Sequence, residues 1–159
     1  MNLMTIAPEL LAMAITLSGL PPVAFESMPP LYGVSAAEMS ATVCPNQPAQ
    51  CRSMAALFDT ERYRILILST LNMQDAEENS FLLHELVHVL QFAQQGEAGF
   101  DGCEAIVASE HLAYQVQNRY LAARGLFAQQ GMMMRYMRCP PDGGGAPEMT
   151  PTAIPGQPG

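Results

Sequence analysis

The sequence contains no lysine and no tryptophan, and only 14% of its 159 residues are charged. All seven basic residues are arginines, set against 15 acidic ones for a formal charge of −8. That balance argues against a nucleic-acid binder, which needs clustered positive charge to displace counterions from phosphates. It equally disfavours attachment to an anionic membrane surface. No apolar run reaches the roughly 20 residues that a membrane-spanning helix needs, so no membrane insertion is expected. Leu10 to Leu20 has the length of a signal-peptide apolar region, yet Glu9 and no base precedes it. Pro21-Pro22 follows without a small-x-small cleavage site, so the stretch reads as a helix instead. Thr5 is its expected cap, Pro8 lies near its first turn, and Gly19 ends it. With 49% apolar residues the chain has enough to build one core. The expectation is a soluble acidic globule.

Turn and cap signals divide what remains. Val23 to Glu26 is a short strand candidate closed by Pro29-Pro30. Ser35-Ala-Ala-Glu38 reads as a capping box opening a short helix to Val43. Met54 to Phe58 and Tyr63 to Ser69 are rich in β-formers around the polar turn Asp59–Arg62, which predicts a hairpin. Its second arm is almost continuously apolar and therefore covered on both faces. Asp75 with Glu78 predicts the start of a long helix, Ala76 to Gln95, ended by Gly96. A second helix is expected from Cys103 to Arg124, ended by Gly125. Six prolines and five glycines crowd residues 140–159, which predicts a disordered tail behind a single domain at residues 1–139.

The chemistry concentrates in the long helix, at His84-Glu85-Leu86-Val87-His88. Residues four apart stack on one helix face, so two imidazoles in this HExxH pattern can meet one zinc ion. Glu85 falls beside that stripe, where it can take a proton from a metal-activated water. Three histidines and 11 glutamates in 159 residues would give this pattern by random placement with a probability of about 0.4%. Coincidence explains it poorly.

A catalytic zinc needs a third protein ligand. The longer pattern HExxHxxGxxH would add a histidine, but Gln91 and Gln94 occupy the positions it requires. The remaining option is a carboxylate from the next helix. If the two helices run antiparallel about Gly99, His88 and Glu110 are equidistant from the turn and lie level. Tyr114 is then level with His84, and Glu104 with Gln94, nearly two turns away. Glu110 is the expected ligand, with Glu104 in reserve.

HELVHVLQ followed by CEAIVASEHLAYQVQNRYL resembles the zincin metallopeptidases of the glutamate-ligand type, the gluzincins. In particular it resembles short bacterial metallopeptidase-like proteins with an HELVH-x-x-Q helix and a later E-x-x-A-Y helix. The resemblance covers about His84 to Leu121. It implies His84, His88 and Glu110 as ligands of one zinc per chain, and Glu85 as general base. It also implies an α+β zincin-like minimal domain, with an N-terminal helix, a small sheet including a hairpin, the HExxH helix and a second ligand-bearing helix. The strand before the active helix would offer its edge to an extended peptide or protein substrate. The expected activity is peptide-bond hydrolysis. Two alternatives are a zinc-binding interaction module with little or no turnover, and a helical structural protein whose HExxH holds no metal.

Other residues have plainer readings beside functional ones. Tyr114 is placed either as a hydrogen-bond donor to an oxyanion or as packing next to a ligand. His111 points about 100° away from Glu110 and reads as a surface or supporting histidine. Gln91, three residues after His88, reads as a partner near the site or as a solvated amide. The methionines at 132–134 and 137 are adaptable packing groups, and Arg119 and Arg124 are helix-end cations. The segment after Gly125 either restrains access to the cleft or covers the core elsewhere. The four cysteines contain no CxxC pair and are expected as Cys44–Cys51 and Cys103–Cys139, which implies a periplasmic or secreted protein. Four reduced thiols in a cytoplasmic protein are the alternative.

Overall fold

The computed structural model describes residues 2–149. Asn2, not Thr5, opens the first helix: its side chain accepts from the Met4 N–H at 3.2 Å, and Leu3–Ser18 (α1) follows. Pro8 sits inside this helix. Its missing N–H strands the carbonyl of Met4, a residue that is itself exposed, so water can serve that group. Gly19, at φ 70°, closes α1 by donating to the Ile15 carbonyl. The first strand differs from the sequence expectation. Val23 to Glu26 is not a strand; a 3-10 turn occupies Phe25–Ser27, and the strand is Leu31–Val34 (β1), beyond the proline pair. The prolines delimit it without blocking it, because Pro30 needs only its carbonyl, which accepts from Ile65 at 2.9 Å. Ser35 and Glu38 then form the reciprocal capping box of Ala36–Val43 (α2).

The hairpin forms as its sequence predicts. Ala56–Asp59 (β2) and Arg64–Leu68 (β3) pair antiparallel, with Leu57 opposite Leu66. Asp59 holds the turn through ion pairs to Arg62 and Arg64. β1 joins the other side of β3 in parallel, giving the order β1-β3-β2. The central position explains why Ile65, Leu66 and Ile67 are all buried. β2 is left at an edge. Since Leu68 N–H donates to the Ala55 carbonyl at 2.9 Å, alternation turns the backbone groups of Ala56 and Phe58 outward.

Ala76–Gln95 (α3) is opened by Asp75, whose carboxylate accepts from the Glu78 N–H at 3.0 Å, and ends at Gly96 with φ 62°. A 3-10 turn at Gly96–Phe100 leads into Cys103–Ala123 (α4). α3 packs against α1, α4 and β2, so it is buried almost all round from Leu82 to Gln91. One core joins these elements and β3, with Leu10, Ile65, Leu86, Leu90, Val116 and Tyr120 among its buried residues. The aromatic rings of Phe58, Phe92 and Phe100 fix the hairpin to the end of α3, with centroids 5.6 and 6.3 Å apart. The fold is α+β, as the sequence implied.

After Gly125 the chain forms a strap along α4. Asn118 clamps it from both sides: its amide donates to the Gln130 carbonyl at 3.0 Å and its oxygen accepts from the Gln130 N–H at 2.8 Å. Met132–Tyr136 makes a 3-10 turn that buries Met134. Met137–Arg138 (β4) then pairs antiparallel with Glu148–Met149 (β5). Residues 140–149 therefore fold back as a ribbon where the sequence predicts a disordered tail. Gly143, at φ 70°, supplies a turn that other residues resist, and Cys139 anchors its base. The rest of that tail, residues 150–159, lies outside the described residues. Both expected disulfides are present, Cys44–Cys51 and Cys103–Cys139. They point to an oxidising compartment. No helix among the described residues is long and apolar enough to cross a membrane.

The Cys103–Cys139 bridge closes a loop with a sequence separation of 36. Denatured, unreduced protein should show no reactive thiol, and four after reduction. Replacing both Cys103 and Cys139 with serine should lower the stability in urea by about 2–4 kcal/mol. Four reactive thiols before reduction would contradict both bridges.

Candidate metal centre

His84 and His88 share one face of α3, one turn apart, with ring centroids 4.8 Å from each other. Their Nε2 atoms are 3.1 Å apart. Glu110 on α4 meets both: Oε2 lies 3.1 Å from His84 Nε2 and Oε1 lies 3.1 Å from His88 Nε2. The antiparallel helix pair thus brings Glu110 level with the histidines and leaves Glu104 exposed in the first turn of α4. The two histidines are buried and Glu110 is partly open to the cleft.

Hydrogen bonds fix the tautomer of each imidazole. Gln91 donates its amide to the Ser109 carbonyl at 3.1 Å, so its oxygen faces His88 Nδ1 at 2.7 Å. Ser80 gives its own proton to the Glu77 carbonyl and accepts from the Gln117 amide at 2.9 Å. Gln117 therefore turns its oxygen to His84 Nδ1, at 3.0 Å. Each Nδ1 must carry the hydrogen, which leaves both Nε2 lone pairs aimed at the Glu110 carboxylate. Gln91 was legible from its spacing to His88. Gln117 was not singled out in the sequence, although it lies two turns beyond Glu110 on the same face.

Two lone pairs and a carboxylate 3.1 Å apart repel unless a cation lies among them. In a tetrahedral zinc site with bonds of about 2.0–2.1 Å, neighbouring ligand atoms are separated by roughly 3.4 Å. Donor type, tautomer and spacing all fit such an ion. His84, His88 and Glu110 form the one group of metal-ligating side chains found among the described residues. Without metal, a proton takes that role. Burial alone would depress the His88 imidazolium, but the hydrogen bond to Glu110 and the charges of Glu85 and Glu110 raise it above its ordinary value. Glu110 is likewise opposed by burial, yet its hydrogen bonds from His84 and His88 hold it well below the usual carboxylate range.

Glu85 projects from α3 toward the edge strand, and its Oε2 accepts from the Phe58 N–H at 2.8 Å. Glu85 also lines the cleft described below. The Tyr114 ring packs edge-on against His84, with centroids 4.4 Å apart. Burial, then the nearby Glu110 and Glu85 charges, push its phenol up to about 12, so it is a donor at any physiological pH. Gly131 of the strap also presses on this ring. A Cβ there would lie 2.3 Å from Tyr114 Cγ, and φ is 79°. His111 is exposed and faces a separate groove with Arg135 and Arg138. Of the two expected helix-end cations, Arg119 instead reaches the Leu17 carbonyl at the end of α1. Arg124, which caps α4, lies 3.6 Å over the Tyr120 ring.

A cleft of about 670 Å³ opens over these groups, between β2, α3, α4 and the strap. Gln130 and Met133 line it. The strap therefore reaches the site and forms one wall, while the cleft stays open.

Two measurements follow from this arrangement. Gln117→Ala or Gln91→Ala should weaken metal binding by about 10–100-fold, read by competition with a chromophoric chelator. The pH dependence of stability should also reverse with metal. His88 is raised, so its contribution is complete below about 6.5 and lost as pH rises through the raised value. Glu110 is lowered, so its contribution is complete above about 4.5 and lost only in strong acid. Metal-free protein should therefore be most stable between about pH 4.5 and 6.5. With metal, competition from protons makes stabilisation grow with pH across the same interval. Parallel slopes with and without metal would contradict the shared cation position.

Comparison with known proteins identifies the chain by family alone. No curated protein and no solved structure matches it. Residues 22–141, which are 120 of the 159, match a family described as a domain of unknown function, DUF6647. That span holds β1 to α4, the whole metal-ligating group and both disulfides, and the chain is a member of the DUF6647 family.

Proposed function

We propose that the chain is a zinc-dependent peptidase of the gluzincin type, working in the periplasm or outside the cell. The observation that carries this reading is the convergence of His84 Nε2, His88 Nε2 and the Glu110 carboxylate within 3.1 Å of one another, with Glu85 beside them. His84, His88 and Glu110 would hold the metal. Zinc supplies Lewis-acid polarisation of a carbonyl and acidifies water at neutral pH.

The side chains divide the remaining work. Glu85 takes a proton from the attacking water and delivers it to the leaving amine nitrogen, so the acyl carbon gains an oxygen as the C–N bond breaks. Its bond to the Phe58 N–H keeps one oxygen fixed while the other handles the proton. Tyr114 remains protonated throughout the working range and donates to negative charge developing on the carbonyl oxygen. The outward backbone groups of Ala56 and the carbonyl of Phe58 offer an antiparallel ladder to an extended peptide. The two disulfides favour an exported setting over the cytoplasm.

Purified protein should bind close to one equivalent of zinc. His84→Ala, His88→Ala and Glu110→Ala should lose it, and Glu104→Ala should keep it. Glu85→Gln should retain zinc while hydrolysis of an unfolded protein substrate falls by at least about 100-fold. Tyr114→Phe should lower kcat by about 10-fold or more with KM little changed. Zinc bound at full stoichiometry with no hydrolysis by the wild type would favour the interaction-module reading. Absence of zinc would end both.

A further inference from the structure

The cleft beside Glu85 and Glu110 has a charge pattern that selects among ligands. Its lining contains no arginine, and the chain has no lysine. A free chain carboxylate buried here would find no guanidinium fork to receive it. An amino terminus would need a carboxylate to spare, and the lining has only two. Glu110 holds its two oxygens against the two histidines, and Glu85 has one oxygen on the Phe58 N–H and keeps the other for the proton of the attacking water. The two arginines of the strap, Arg135 and Arg138, line a second groove that meets this cleft at Tyr114 and Gln130. A divalent cation held by His84, His88 and Glu110 would already be offset by the Glu110 and Glu85 carboxylates, so either charged end of a peptide would lose its hydration with no net opposite charge to receive it.

The walls have the opposite character. Met54, Phe81, Phe100, Ile106 and Met133 line the cleft, contributed by the approach to β2, by α3, by the α3–α4 turn, by α4 and by the strap. Such a lining removes apolar surface from water, and its methionines adapt to different shapes. A volume of about 670 Å³ falls within the range of sites that enclose a small ligand, roughly 300–1,000 Å³. It holds only a few residues, so the rest of a bound chain must leave it in both directions.

We propose that this cleft receives the interior of an extended polypeptide, with large apolar side chains on both sides of the peptide bond over the metal group, and not a chain terminus. Binding of this kind depends on the cleft alone. Only the cleavage that follows rests on the peptidase reading.

The test uses one eight-residue peptide, Ala-Ala-Gly-Phe-Leu-Gly-Ala-Ala, acetylated and amidated at its ends, and three relatives. One relative has a free carboxylate, one a free amine, and one carries Asp in place of each central apolar residue. Binding is measured by calorimetry on full-length wild-type protein with zinc present, in the cold and within the time that mass spectrometry shows the peptide intact, and cleavage by mass spectrometry on the same protein when warmed. The blocked peptide should bind; unblocking either end should not tighten binding, and the Asp peptide should bind at least 10-fold more weakly. Wild-type protein should cut the blocked peptide between interior residues. Binding in this order without cleavage supports the ligand class and removes the peptidase reading. No binding of the blocked peptide, or at least 10-fold tighter binding of a free end, overturns the proposal whether or not cleavage occurs.

Discussion

Three electron-pair donors held within 3.1 Å of one another cannot remain uncompensated in a largely buried place. Everything around His84, His88 and Glu110 supports this unfavourable arrangement. The histidines lie on a helix buried almost all round, so they cannot swing out to water. Gln91 and Gln117 occupy both Nδ1 positions, so the rings cannot turn their hydrogens inward without losing a hydrogen bond. α4 brings the carboxylate from outside. The fold stores an electrostatic demand that a cation meets, and the packing of α3 between α1, α4 and β2 keeps that demand in place.

Local chemistry made much of this readable in the sequence. The limits of α3 followed from Asp75, Glu78 and Gly96, since caps act within a few residues and need no tertiary information. The turn at Asp59–Arg62 and the capping box at Ser35 were readable for the same reason. HExxH placed two imidazoles on one face by helical spacing, and equal heights on two antiparallel helices brought Glu110 to them. β1 was missed because its signal is tertiary: a four-residue strand with a central glycine, following two prolines, is made a strand by pairing with β3. The α1 cap was missed because Thr5 and Asn2 are both reasonable caps, and the helix takes the earlier. Gln117 was missed because a buried amide on a helix looks like any other polar residue until its partner is known.

The contrast between Gln91 and Gln117 is instructive. The first acts within its own helix and then reaches across to Ser109; the second comes from α4 back to His84 and Ser80. Each helix therefore supports a ligand with a group anchored on the other. A small shift of α4 along α3 would disturb Glu110, Gln117 and Ser109 together, so the coordination geometry and the helix packing are one constraint. Gly131 extends this to the strap, because the Tyr114 ring that packs on His84 also touches a residue that has no Cβ to displace it.

The bridge from Cys103 to Cys139 makes α4 and the strap a single covalent ring. Glu110, Gln117, Ser109, Tyr114 and the Met133 wall all belong to that ring, whereas His84, Glu85 and His88 lie outside it. A cation shared by His84, His88 and Glu110 is then a second, reversible cross-link, joining the ring to the remainder of the chain. The ring is closed by oxidation, and a cation bound there would add a closure made by coordination. Loss of such a cation would leave the covalent closure of the ring intact, so Glu110, Gln117 and Ser109 would stay tied to the strap while the site emptied and refilled.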